Sequence, residues 1–156
     1  MSVYYINGDL LKSRHRYICH QVNCQGRMAS GIAKSIRDKW PAVYDVYKRD
    51  LEIGKNLGDI GLAGIQGNIP VQYIVNMYAQ QAYGYDGKRY TSYDAFWSCL
   101  NQIKETVPKG SEIAFPDNIG CGLGGANWSV IQSMIYAALN EDYDVYIYHL
   151  EDNNEN

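Results

Sequence analysis

The chain has 156 residues, of which 46% are hydrophobic and 20% charged, and its formal net charge is −3. That length gives one domain with one full core. The charge balance argues against an extended nucleic-acid surface, which needs clustered lysine and arginine. No apolar run approaches the roughly 20 residues of a membrane-spanning helix, and "MSVYYINGDL" lacks the basic and apolar regions of a signal peptide. Cys19, Cys24, Cys99 and Cys121 show no C-x-x-C spacing, which fits reduced thiols and a cytoplasmic location.

In chain order, "VYYI" (3–6) forms a short strand stopped by the turn signal "NGD", and "YICHQVN" (17–23) forms a second, buried one. "GIAKSIRDKW" carries Ile32, Ile36 and Trp40 near helical spacing. Pro41 ends that helix and opens the next over 42–52, with Val43, Val46 and Tyr47 on one face. Two β-like runs, "GDIGLAGIQ" and "VQYIVNMYA", are joined by the turn "GNIP". Beyond the polar stretch "QQAYGYDGKRYTSY", Ser92 caps a helix over 92–106 that turns Phe96, Leu100 and Ile103 inward. "EIAFP" (112–116) makes a strand, 128–139 a helix, and "YDVYIYHL" the last strand.

This alternation predicts a three-layer α/β/α sandwich on a mixed, largely parallel sheet. Residues 1–150 form the single domain and "EDNNEN" (151–156) a polar tail.

"AFPDNIGCGLGGANW" (114–128) runs from a strand through glycines into a helix. Such a loop brings backbone close to a ligand, and free N–H groups at the helix start hold an anion without lysine. Gly120, Gly122 and Gly125 satisfy G-x-G-x-x-G, but the dinucleotide fingerprint belongs to the first βα turn. Here one helix and one strand remain after it. No G-K-[ST] follows, so it is no P-loop either. "VNCQGRMASGIAKSI" repeats the strand-to-small-residue-to-helix pattern through Gly26, Ala29, Ser30 and Gly31. Two such loops on one sheet edge could each present N–H groups to one phosphate of a diphosphate, which selects a nucleoside diphosphate bearing a sugar.

"GDL" (8–10), "CHQVNCQGRMASGIA" (19–33) and "PDNIGCGLGGANW" (116–128) together resemble the macro domain, an ADP-ribose-binding α/β/α fold, in order and spacing. The final "YIYHL" resembles its closing strand, so the resemblance covers essentially the whole chain. Within the family it is nearest to the branch of terminal ADP-ribose protein glycohydrolase and the ADP-ribose-1″-phosphate phosphatases. The resemblance implies that Asp9, beside Leu10, accepts a hydrogen bond from the adenine amino group, and that Asn23 and Gln25 meet the distal ribose. Met28, Ala29, Ser30, Gly31, Ile32 and Ala33 would wrap one phosphate. Asn118, Ile119, Gly120, Cys121, Gly122, Leu123 and Gly124 would take the other phosphate and the distal ribose. His149 and Leu150 would lie near adenine, with Tyr148 in the core and Arg27 at the loop rim.

Catalysis is where the chain departs from those relatives. The glycohydrolase's aspartate falls at Gly124, and its lysine falls within 76–81, "NMYAQQ", which has none. A phosphatase asks mainly for a held phosphate and an aligned water. The candidates are then Asn23 and Gln25, which orient sugar or water, and His20, whose pKa range suits proton transfer. His20 lies mid-strand, which equally suits a buried, hydrogen-bonded ring. Cys121 sits near a helix start, where thiolates are favoured, but has no histidine partner in the sequence. His15, His20 and His149 lack zinc-ligand spacing, so no metal and no cofactor is expected. The expected partner is ADP-ribose or an ADP-ribosyl derivative, carried on protein or on a nucleic-acid end, with no membrane involved. Hydrolysis of an ADP-ribose derivative, an ADP-ribose reader without turnover, and a domain for another nucleotide all remain open at this point.

Overall fold

The structure, a computed structural model, describes residues 2–151; most of the polar tail lies outside them. The strands are β1 (Val3–Asn7), β2 (Tyr17–Asn23), β3 (Ile60–Ile65), β4 (Gln72–Gln80), β5 (Glu112–Pro116) and β6 (Asp144–His149). The helices are α1 (Gly31–Lys39), α2 (Pro41–Glu52), α3 (Tyr93–Thr106) and α4 (Trp128–Leu139), and a 3-10 turn occupies Leu10–Lys12. The sheet order is β1-β6-β5-β2-β4-β3. Only β3 runs antiparallel, paired with β4 as a hairpin, while the other neighbours are parallel. The fold is the expected three-layer sandwich.

Apolar side chains alternate across β2 and divide the core into two layers. Tyr17 and Cys19 pack beneath α3 and α4 with Phe96, Leu100, Ile131 and Ile135. Ile18 and Val22 pack beneath α1 and α2 with Ile36, Val43 and Tyr47. A central strand buried on both faces must be apolar almost throughout, which explains why "YICHQVN" is buried at every position except Gln21.

The β2–β4 register slips at the carboxyl end, where Val22 faces Tyr78 and Asn23 faces Gln80. The extra residue is Ala79, so it is β4 that carries the irregularity.

His20 is the polar exception within the core. It is fully buried, and its Nε2 lies 2.6 Å from Asn76 Oδ1 on the paired position of β4. Desolvation lowers its pKa from 6.5 to about 4, against the opposing effect of the Asn76 hydrogen bond. The folded protein therefore holds a neutral ring, while the unfolded chain takes up a proton below pH 6.5. Stability from this site is complete above about pH 6.5 and falls as pH drops toward 4, by about 1.4 kcal/mol per pH unit at its steepest. Chemical denaturation between pH 4 and 7 should show that slope in the wild type and a flatter profile in His20→Gln. On the other core layer, Phe115 is fully buried, and Phe115→Ala should cost about 3–5 kcal/mol in the same measurement.

Candidate functional site

Three loops meet above the carboxyl ends of β2, β4 and β5 and enclose a crevice of about 470 Å³. That volume suits a nucleotide-sized ligand.

The first loop leaves β2 at Asn23 and is folded by that residue's own amide. Asn23 Oδ1 accepts from Gln25 N at 2.9 Å, and Nδ2 donates to the Arg27 carbonyl at 2.8 Å. The Tyr47 hydroxyl, from α2, lies 2.7 Å from the Asn23 carbonyl and 3.0 Å from Oδ1. Burial pushes the Tyr47 pKa up, so its hydroxyl stays protonated. Tyr44 donates to the Gly26 carbonyl at 3.0 Å. Met28 is fully buried and anchors the loop in the core. Ala29 and Ser30 are left exposed at the entry to α1. Ser30 makes no side-chain cap, so the N–H groups of Gly31, Ile32 and Ala33 at the first turn of α1 remain open toward the crevice they line.

The second loop follows β5. Cys121 N donates to the Asn118 carbonyl, Gly125 N to Gly122 and Ala126 N to Gly120. Those turns leave the N–H groups of Asn118, Ile119, Gly120, Gly122, Leu123 and Gly124 without a protein acceptor among the described residues. Gly124 has no room for a side chain: a Cβ there would lie 2.5 Å from the Gly120 carbonyl oxygen and 2.6 Å from Thr91 Oγ1. Gly122, by contrast, has nothing within 4 Å of a Cβ position and borders the crevice.

The third loop, 81–92, closes the side nearest β4. Tyr90 N and Thr91 N both donate to the Gly124 carbonyl, and Thr91 Oγ1 donates to the Gly120 carbonyl at 2.8 Å. Tyr83 and Tyr85 line the crevice, and the Arg27 guanidinium lies 5.5 Å from the Tyr83 ring centre, spanning from the first loop to the third.

Among the lining residues only Arg27 and Asp117 carry full charge. An anion held here would therefore be met mainly by main-chain N–H groups and by the start of α1.

The two ends differ in chemistry. At the β6 end, Asp117 Oδ2 lies 2.8 Å from His149 Nδ1. Main-chain bonds Gly8 N to His149 O and Asp117 N to Tyr148 O draw the segments of Gly8, Asp117 and His149 together. At the β4 end stand amides, a hydroxyl and two tyrosines: Gln21, Gln80, Thr91, Tyr83 and Tyr85.

Of the residues expected from sequence, Asn23, Ala29, Ser30, Gly31, Ile32, Ala33, Asn118, Ile119, Gly120, Gly122, Leu123 and Gly124 line the crevice, as does Arg27 at its rim. Leu10 and Met28 are buried in the core beneath α1 and α2, so their side chains form no wall. Asp9 caps the 3-10 turn by accepting from Leu11 N at 2.9 Å, and stands near the β6 end without lining the crevice. His149 and the exposed Leu150 also stand outside its lining. Gln25 is exposed and donates to the Gln81 carbonyl. His20 is sealed in the core, too far from the conditions of proton transfer to serve it at neutral pH. Burial raises the Cys121 thiol pKa, and its Sγ is 3.3 Å from the Ile119 carbonyl. Tyr148 is half-buried, with its hydroxyl 2.7 Å from His15 Nε2.

Sequence reading missed Gln21, Gln80, Tyr83, Tyr85, Thr91 and Asp117. Gln21 did carry a signal, a polar side chain inside a buried strand, which needs partners. The third loop carried none.

A family model, that of the macro domain, matches residues 19–135. The chain belongs to the macro domain family. A 17.5 kDa protein of the tk-vs intergenic region of Enterobacteria phage T4, uncharacterized, is 29% identical over 142 residues, which is 86% of this chain and 88% of that one. The DNA ADP-ribosyl glycohydrolase of Mycobacterium bovis (strain BCG / Pasteur 1173P2) is 23% identical over 147 residues, 92% of this macro domain but 41% of that relative. The solved structure of Thermosipho africanus DarTG in complex with ADP-ribose aligns with a TM-score of 0.79 at 23% identity, over 96% of this chain and 42% of that one. At such identity the structural likeness shows the fold alone.

The spacing at Gly124 carries its own prediction. Gly124→Asp should lower the melting temperature, because the new side chain meets a backbone oxygen that cannot swing away, and adding Thr91→Gly should not recover that loss, since the Gly120 carbonyl remains. Calorimetry of the two variants checks it.

Proposed function

We propose that this macro domain binds ADP-ribose in the crevice and hydrolyses a derivative of it at the distal sugar, either ADP-ribose-1″-phosphate or an ADP-ribosyl group on a macromolecule. One observation carries the reading: two sets of main-chain N–H groups without a protein acceptor among the described residues, at 31–33 and at 118–120 and 122–124, belong to residues that line a single crevice. A diphosphate supplies acceptors for both. The Asp117–His149 end offers acceptors suited to a base amino group, and the amide-rich β4 end suits sugar hydroxyls.

The solved relative bound to ADP-ribose and the relative named for release of ADP-ribose from DNA support this ligand class. Hydrolysis here would rest on holding the distal group and orienting a water with neutral donors and acceptors. No lysine lines the crevice, and its one carboxylate, Asp117, is engaged by His149 at the other end. That same observation favours the second reading, a domain that holds ADP-ribose without turnover.

Titration calorimetry with ADP-ribose tests the binding step. Gly122→Val should stay close to the wild-type melting temperature, since a Cβ there has nothing within 4 Å, and should lose ADP-ribose affinity by more than tenfold. Release of phosphate from ADP-ribose-1″-phosphate, and of ADP-ribose from modified DNA and protein, tests turnover against Asn23→Ala, in which the first loop loses its internal ties. Tight binding with no turnover on the whole panel would decide for the reader.

A further inference from the structure

At the β4 end, three side chains form a hydrogen-bonded array whose direction is fixed by one carbonyl. The Gly120 oxygen can only accept, so the Thr91 hydroxyl, 2.8 Å away, must donate to it. Thr91 Oγ1 has then spent its proton and can only accept from Gln21, 2.7 Å away. Gln21 must therefore present its NH₂ group there, and the same nitrogen donates to Gln80 Oε1 at 2.8 Å. Gln80 is left with its oxygen toward Gln21 and its nitrogen outward, where one N–H reaches the Ala82 carbonyl at 2.8 Å. Its second N–H has no protein acceptor among the described residues, and Gln80 lines the crevice.

We propose that Gln80 is the specificity-determining residue for the sugar beyond the diphosphate, its free N–H donating to a hydroxyl oxygen of that sugar, with Gln21 and Thr91 as positioning residues that fix its orientation. This deepens the function proposed above and rests on it.

A glutamine free to flip would offer a donor or an acceptor at equal cost and would select little. Here a flip would set the Gln80 nitrogen against the Gln21 nitrogen and its oxygen against the Ala82 carbonyl, losing two bonds at once. A pre-oriented donor gives its full bond to a matching hydroxyl and nothing to a ligand that ends at the diphosphate. ADP-ribose and ADP differ in that sugar, so their affinity ratio isolates the contact. General loosening of the crevice would weaken both nucleotides together.

The test is titration calorimetry of ADP-ribose and ADP on the wild type, Gln80→Met, Gln80→Leu, Thr91→Val and Thr91→Ser, with the melting temperature of each variant measured alongside. Gln80→Leu, neutral and of different shape, guards against a Gln80→Met that does not fold and likewise removes the donor. The expected result is a wild type that prefers ADP-ribose, and a preference reduced roughly five- to tenfold in Gln80→Met, Gln80→Leu and Thr91→Val, in keeping with one lost hydrogen bond. ADP affinity should stay within twofold in the Gln80 variants, and Thr91→Ser should restore the ratio that Thr91→Val lowers. An unchanged ratio in folded Gln80 variants, or equal loss of both nucleotides, would overturn this proposal while leaving ADP-ribose binding intact. A wild type that binds no ADP-ribose would overturn the proposed function and this inference with it.

Discussion

The direct pairing of β2 with β5 is the constraint on which the rest of this molecule depends. Parallel strands deliver their carboxyl ends to the same edge, so the chain that leaves β2 and the chain that leaves β5 must emerge side by side. Each enters a helix on a different face of the sheet, α1 on one and α4 on the other. Their loops therefore part across the edge and leave a crevice between them. The glycines and small residues matter only because the topology has already placed them there.

Given that placement, the choice of backbone over side chain as the anion-binding group follows from charge and space. The chain carries a net charge of −3, and the crevice lining holds one arginine and one aspartate. Cationic side chains would bring charge but also rotamer freedom that binding must freeze. Main-chain N–H groups in a loop tied by Cys121 N to Asn118 O, Gly125 N to Gly122 O and Ala126 N to Gly120 O are already held in place. The ordering cost is met during folding, by Asn23 and Tyr47 in the first loop and by Thr91 in the second.

Strands and helices were legible in the sequence because their signals are local. Pro41 at the first turn of α2, Ser92 accepting from Ala95 N at 3.1 Å, and the two-sided burial of β2 and β4 each leave a mark within a few residues. The glycine loops were legible for the same reason. What the sequence could not display was pairing between distant positions. Thr91 reads as the residue before a helix cap, yet its hydroxyl meets Gly120, 29 positions away. Gln21 meets Gln80 and Thr91, 59 and 70 positions away. Asn23 was legible as a residue of the crevice, but its ties were not: its amide bonds to Gln25 N and to the Arg27 carbonyl within the loop. It thereby sets the shape of the first loop.

The third loop ties the chemistry of the distal end to the shape of the 118–124 turn. A side chain at residue 124 would meet two fixed groups, with its Cβ 2.5 Å from the Gly120 carbonyl oxygen and 2.6 Å from Thr91 Oγ1. A carboxylate at 124 therefore fits neither beside the hydroxyl at 91 nor beside the backbone at 120. Once Thr91 is seated, its bond to the Gly120 carbonyl sets the direction of Gln21, and through Gln21 that of Gln80. The orientation of each member is set by its neighbour, and the cost is a Gln21 Oε1 left buried without a partner among the described residues. A single added carboxylate would break the steric fit and the donor order together. Converting this end to charged chemistry thus requires more than residue 91 to change: the Gly120 carbonyl, within the 118–124 turn itself, must move as well.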